Sequence, residues 1–362
     1  MIRLLGLVVA CITLHLCQSL CLDLARTLPV ASDRSVSLVE CVKWASALWA
    51  IVELNAVLNR WAENGWIWRS DNRDWDWDHE VAVVTGGSNG IGGCVAKKLV
   101  SHGIKVAVLD ITPLSESFTL GAPSRDRTHL IAALTYPEER KLIRYYPCDI
   151  TSQEAIEGVA SAIRADLGSP SILINNAGIG NGNTILDIPP ESLRKLFEIN
   201  LLSHWSTVKV FLPDMLARNK GHIMSVASLA SFVSLAGAVD YSCTKSALMS
   251  FHEGLSQELK HRYKCPQIKI SIVHPGWTRS AITSHPALQA GLQKIGVKLL
   301  EAEYVAEAMV KQVIAAKSGQ LILGPRVVAS IRAFPIWMQE LVRDSQASIV
   351  GGEGTTAPEV ST

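Results

Sequence analysis

Tyr241 and Lys245 stand four residues apart in a stretch patterned as a helix, so a phenol and an ammonium share one helix face. A phenol, with a pKa of about 10, is a poor base near neutral pH, and an ammonium beside it favours the ionised form. Such a pair can take the proton of a hydroxyl-bearing substrate while the adjoining carbon loses hydride. Ser228, at the end of the strand ahead of that helix, can orient and polarise the substrate oxygen. Each residue alone also has an ordinary reading: an exposed Tyr–Lys pair, a loop hydroxyl and, in Asn200, a polar group inside a helix. Tyr-x-x-x-Lys spacing is frequent by chance, so the weight falls on the elements around it.

Those elements begin with a glycine-rich turn. Thr85-Gly86-Gly87-Ser88-Asn89-Gly90-Ile91-Gly92 follows a buried-strand pattern and opens an amphipathic helix. Glycines there let the backbone approach a pyrophosphate, whose charge meets the free amides of the helix N-terminus, so Gly86, Ser88, Asn89, Gly90, Ile91 and Gly92 are candidate cofactor contacts. The next strand ends at Asp110, where a carboxylate accepts from adenosine ribose hydroxyls and repels a 2′-phosphate, which favours NAD(H). Arg125 and Arg127 could compensate and keep NADP(H) open, and Asp110 could instead open the following turn. Asp149, after the third strand, either touches adenine or caps the helix that begins near Ser152.

From Glu80 onward, short Val- and Ile-rich runs alternate with longer helical stretches, which predicts an α/β fold: a single Rossmann-type, doubly wound parallel sheet of about seven strands. The strands are expected at Val81–Val84, Lys105–Leu109, Ile143–Cys148, Ile172–Asn175, His222–Val226, Lys269–His274 and Leu321–Leu323. Helices are expected at Gly90–Ser101, Ser152–Leu167, Pro190–Arg218, Asp240–Arg262 and Ala302–Ala316, with a further one near Ile331–Arg343. Thr112–Arg140 reads as a loop-rich insertion with a short helix over Leu130–Leu134.

In this order along the chain, the motifs resemble the short-chain dehydrogenase/reductase family over essentially Glu80 to Arg343. Thr85-Gly86-x-x-x-Gly90-x-Gly92 is similar to its cofactor loop, and Asn175-Asn176-Ala177-Gly178 to the segment that stabilises the central sheet and borders the cofactor. Asn200, Ser228, Tyr241 and Lys245 match its catalytic tetrad, and Pro275-Gly276 its turn after the sixth strand. The resemblance implies that Lys245 hydrogen-bonds the nicotinamide ribose and that Asn200 holds a water linking Lys245 to solvent. It also implies a hydroxyl contact to the nicotinamide carboxamide; Ser280 stands at the usual Thr position and Thr278 two residues earlier, and either can supply it. Trp277–Val297 would form a substrate lid whose Trp277, Ile282, Leu288 and Leu292 suit a greasy substrate or, alternatively, pack on the domain. The resemblance further implies a homo-oligomer built through the helices that carry Asn200 and Tyr241.

The rest of the chain points toward a membrane. No charged residue interrupts Leu4–Leu22, and nineteen residues in a helix span about 28 Å, close to the hydrocarbon thickness of a bilayer. A cleavable signal peptide is the competing reading, with Arg3 as a basic start and Ser19-Leu20-Cys21 at cleavage-like positions. Seven of the ten tryptophans fall between residues 41 and 77, and Val42–Trp61 reads as a helix lying on a bilayer or packed on the domain or a partner subunit. The expected divisions are an anchor or signal at 1–22, a Trp-rich amphipathic membrane-associated extension at 23–79, the dehydrogenase domain at 80–344 and a disordered tail at 345–362. The hydrophobic preface makes the chain resemble the family's membrane-associated, retinol dehydrogenase-like branch. That implies a small lipophilic alcohol or carbonyl substrate and a place at the endoplasmic reticulum or a lipid droplet, with the catalytic domain cytosolic.

Composition limits the alternatives. Thirty-four basic against 33 acidic residues leave a net charge of +1, with no electrostatic footprint for nucleic acid. The eight cysteines show no zinc-ligand spacing, so no metal is expected, and a disulfide framework is not expected in a chain of this size. Two readings compete with a membrane-associated oxidoreductase: a soluble carbonyl reductase of secondary metabolism, and a catalytically silent nucleotide-binding scaffold, against which the intact tetrad argues.

Overall fold

The computed structural model describes residues 32–67, 74–114 and 142–350. The chain divides into two units, Met1–Trp68 and Arg69–Thr362.

In the first unit, α1 (Ser32–Glu63) is a single long helix. It leaves Trp44, Leu48, Trp49, Ile51 and Leu58 exposed, and Trp61 meets Trp66 edge-on at 5.0 Å. Among the described residues no helix is long and apolar enough to cross a membrane. The run 4–22 and the insertion helix at 130–134 lie outside the described residues.

The second unit is built on seven parallel strands: β1 (Val81–Thr85), β2 (Lys105–Asp110), β3 (Ile143–Pro147), β4 (Ile172–Asn175), β5 (His222–Val226), β6 (Lys269–Pro275) and β7 (Gly319–Leu323). Their order across the sheet is β3-β2-β1-β4-β5-β6-β7, with registers such as Val84↔Ile174 and Val226↔Val273. This is the expected Rossmann-type sheet. Side chains alternate between two faces, and both are covered over the central strands, which are therefore mostly apolar with a few buried polar residues such as His222, Ser225 and His274. Ala82, Val84, Val106, Val108, Ile172 and Ile174 pack on α2 (Gly90–Ser101) and α8 (Ala302–Ile314) through Val95, Leu99, Val305 and Met309. Val83, Leu109, Leu173 and Ile223 pack oppositely on α3 (Gln153–Asp166), α5 (Ser203–Arg218) and α6 (Val239–His261) through Ile156, Phe211, Met215 and Leu255.

Three expectations need correction. The stretch Pro190–Arg218 is not one helix: α4 (Pro190–Phe197) gives way to a π turn at Glu198–Leu202 before α5 resumes. The domain does not start at Glu80, because Trp75 is buried in its core, stacks on Trp77 at 5.0 Å and lies under the Lys220 ammonium. Lys220 also pairs with Glu80 and donates to the Asp74 carbonyl, fastening that segment beneath the sheet. Nor does the fold end at 344. Helix α9 (Ile336–Gln346) runs past it, and Ile349 and Val350 are buried against Leu235, Leu292 and Ile331; two apolar residues suffice where they lodge against α7 (Pro286–Lys294).

Candidate active site

The strand order reverses between β1 and β4, and the crevice beyond their C-terminal ends is where an open α/β sheet binds its ligands. The glycine turn leaves β1 there. Gly86 has φ +62°, and a Cβ on Gly92 would stand 2.3 Å from the Gly86 carbonyl oxygen and 2.4 Å from Asn176 Nδ2, so only glycine lets the turn close this tightly. Asn89 takes the N-cap of α2 in extended conformation without a side-chain cap of its own, which leaves the amides of Gly90, Ile91 and Gly92 to another acceptor. Uncapped amides and a cradle reduced to backbone fit a dinucleotide pyrophosphate.

The neighbouring candidates brace this turn. Asp110 accepts from the Ser88 and Thr112 amides, each at 3.0 Å, while the buried Ser88 hydroxyl donates to the Thr112 carbonyl at 2.6 Å. Ser88 is therefore turned inward, and its part is to shape the loop. Asn176 Nδ2 donates to the Thr85 and Gly86 carbonyls, and the amides of Asn176 and Ala177 both donate to Thr85 Oγ1. Thr85, which opens the glycine motif in the sequence, is thereby also a site-building residue, a role that the motif alone does not assign. Asp149 stands apart: exposed after β3, it accepts from the Thr151 amide and hydroxyl, and Ser152 performs the helix capping by accepting from Ala155.

The second cluster gathers at the end of β5. Ser228 follows the strand, and Tyr241 and Lys245 come from the first turns of α6. The Tyr241 phenol lies within reach of the Ser228 side chain. Burial pushes its pKa up, and Ser228 opposes that rise. Lys245, 3% exposed, donates to the Val226 carbonyl at 2.9 Å and holds its ammonium 5.5 Å from the centre of the Tyr241 ring. Burial lowers its pKa to about 8. Asn200 sits on the π turn, accepting from the Ile179 amide at 2.8 Å and donating to the Ile179 carbonyl at 2.9 Å. That grip on a residue far away in sequence accounts for the local widening of the helix. The two clusters meet at Gly178, where a Cβ would lie 3.4 Å from Asn200 Oδ1 and 3.5 Å from Lys245 Nζ.

Pro275 ends β6, and the Gly276 amide donates to Leu323 at 2.7 Å. The Thr278 hydroxyl turns back onto the Gly276 carbonyl, whereas Ser280 lies over the glycine turn, its Cβ 3.9 Å from where a Gly90 Cβ would be. Of the two hydroxyls, Ser280's is thus the one next to the cofactor crevice. In the expected lid, Ile282 approaches Gly180 beside Tyr241, while Trp277, Leu288 and Leu292 pack in the same apolar cluster as Phe232, Leu235 and Tyr241. Among the described residues no group of three or more His, Cys, Asp or Glu could hold a metal ion.

A fold and crevice of this kind define a ligand-binding α/β protein, and comparison with known proteins is specific about which family it is. The family profile described as short chain dehydrogenase matches residues 80–289, more than half of the chain. The chain belongs to that family, and it is an oxidoreductase acting on CH–OH groups. It is 37% identical over 199 residues to "Dehydrogenase RED2" of Cochliobolus heterostrophus, a match covering 55% of this chain and 68% of that protein. It is 32% identical over 208 residues to "Retinol dehydrogenase 10" of Homo sapiens, covering 54% of this chain and 61% of that one. Among solved structures, a metagenomic short-chain oxidoreductase in complex with NADP aligns with a TM-score of 0.50 at 25% identity, over 68% of this chain and 97% of its own.

Proposed function

We propose that this domain interconverts a lipophilic alcohol and its ketone or aldehyde, with Tyr241 as the acid/base and NAD(H) as the favoured cofactor. The observation that carries the reading is the meeting of the Tyr241 phenol with the buried Lys245 ammonium, beside Gly178 at the mouth of a glycine-lined crevice.

The bound nicotinamide dinucleotide supplies the hydride acceptor for alcohol oxidation and the hydride donor for carbonyl reduction. The amides after Asn89 would hold its pyrophosphate, Asp110 its adenosine ribose, Lys245 its nicotinamide ribose, and Gly276 and Ser280 would border the nicotinamide. Tyr241 hands its proton to the carbonyl oxygen in reduction and takes it from the hydroxyl in oxidation, while Ser228 fixes that oxygen. Lys245, fastened to Val226, keeps a positive charge beside the phenol and lowers the cost of the phenolate. Asn200 holds the Ile179 backbone over this group and, through a water, would connect Lys245 to solvent.

The substrate class is supported by the apolar cluster that runs from Tyr241 into the lid. Association with a membrane through the N-terminal region is supported by the exposed tryptophans of α1, and a homo-oligomer by Leu202 and Trp205, exposed next to Asn200. NAD(H) is supported by Asp110, which ends β2 with its carboxylate against the glycine turn; Arg125 and Arg127 lie outside the described residues. Steady-state rates with both cofactors over a series of primary and 2-alkanols and their carbonyls test the reading. The expected result is kcat/KM rising with chain length and about 10-fold or more in favour of NAD(H), with Asp110→Asn narrowing that preference. No turnover anywhere in the series, or a wild-type preference for NADP(H), contradicts it.

A further inference from the structure

His274 is wholly buried near the end of β6, one strand away from the Ser228 cluster. The β5–β6 ladder runs up to Ala227, whose amide donates to the Val273 carbonyl. Beyond that point Pro275 has no N–H to donate, so the backbone cannot continue the ladder toward Ser228. A side chain takes over: His274 Nδ1 lies 3.1 Å from the Ser228 carbonyl oxygen. Because a carbonyl only accepts, Nδ1 carries the proton, and the ring is the tautomer with a bare Nε2. That Nε2 is buried without a hydrogen-bond partner, which costs stability that an apolar residue would not. Phe232, the C-cap of the short 3-10 turn Leu229–Ser231 that follows Ser228, packs on the ring at 4.6 Å.

We infer that His274 is a positioning residue for the reaction: its Nδ1–H holds the Ser228 carbonyl, and thereby aims the Ser228 hydroxyl at the substrate oxygen and Tyr241. This inference rests on the catalytic role proposed above for Ser228. It explains why an imidazole with one unsatisfied nitrogen occupies a site that a leucine would fill at lower cost. The ring's charge state suits that role. Burial lowers the His274 pKa to about 4, with the bond to Ser228 opposing and Lys245 adding to the fall, so the ring is a neutral donor throughout neutral pH.

The test is a set of three replacements in the full chain. Asn places an amide N–H where Nδ1 stood, Gln places it one bond further out, and Leu offers none. Carbonyl reduction is followed with the aliphatic ketone and aldehyde series and, separately, NADH affinity by fluorescence titration. His274→Leu and His274→Gln should lower kcat by about 10- to 100-fold, the scale of a misplaced catalytic group, with NADH affinity within about 2-fold of wild type. His274→Asn should recover most of that loss. A core-filling role predicts instead that Leu is best tolerated and that activity follows melting temperature; that order overturns the inference. Ser228→Ala, assayed alongside, separates the two levels. If it keeps wild-type activity the reading of Ser228 fails, whereas if it is inactive and the three His274 variants are alike, only the positioning role fails.

Discussion

Lys245 and Tyr241 are buried together, and burial acts on them in opposite directions, lowering the ammonium to about 8 and raising the phenol. Near pH 7 the resting site therefore holds a protonated phenol beside a charged lysine. That state can deliver a proton to a carbonyl oxygen, and the positive charge then stabilises the phenolate left behind. As pH rises through about 8 the lysine loses its charge and the support goes with it. Carbonyl reduction should accordingly keep its kcat/KM below that point and fall above it, by about 10-fold per pH unit once the limb is established. A profile flat to about pH 10 would remove Lys245 from the chemistry. At this scale the sequence was informative about placement where a spacing is fixed: Tyr241 and Lys245, four apart, do lie together on α6. It was silent on His274, because a single histidine before a proline reads as core filling until Ser228 is seen across the strand.

The central strands were legible because both of their faces are buried. Ile172–Asn175 and His222–Val226, buried along their whole length and bounded by turn residues, match the expected bounds at both ends. The π turn at Glu198–Leu202 left no periodic trace, since it is held by Asn200 gripping Ile179, a contact between distant residues. The C-terminal segment was illegible for a similar reason. Ile349 and Val350 sit among glycines and serines, and their burial depends on α7 and the loop before α6 leaving room for a backbone. A Cβ on Gly291 would lie 2.4 Å from the Ile349 carbonyl oxygen, and one on Gly237 2.6 Å from that of Val350. Gly291→Ala should therefore destabilise by about 1–3 kcal/mol through overpacking, read as a lowered melting temperature. Gly254→Ala, at an exposed position of α6 with nothing within 4 Å of the new methyl, should stabilise by up to about 1 kcal/mol. Equal shifts for the two variants would mean that the C-terminal segment does not pack on α7.

At the scale of the whole molecule, two pairs of the tryptophans that precede β1 have different tasks. Trp75 and Trp77 belong to the dehydrogenase core, while Trp44 and Trp49 of α1 stay exposed and give the proposed membrane association its surface. The net charge of +1 is consistent with that use, since contact through aromatic and aliphatic side chains needs no excess of basic residues. Everything else serves the crevice at the strand-order reversal, where the glycine turn and the Tyr241 cluster meet at Gly178. The claim on which the account depends is that proton transfer there belongs to the Tyr241 hydroxyl. Tyr241→Phe removes one oxygen and leaves the ring, the Val226–Lys245 bond and the glycine turn in place. Steady-state carbonyl reduction together with NADH titration of that variant should show turnover lowered by at least about 100-fold with NADH affinity nearly unchanged, in the range of a lost general acid. Wild-type turnover in Tyr241→Phe would contradict the account outright.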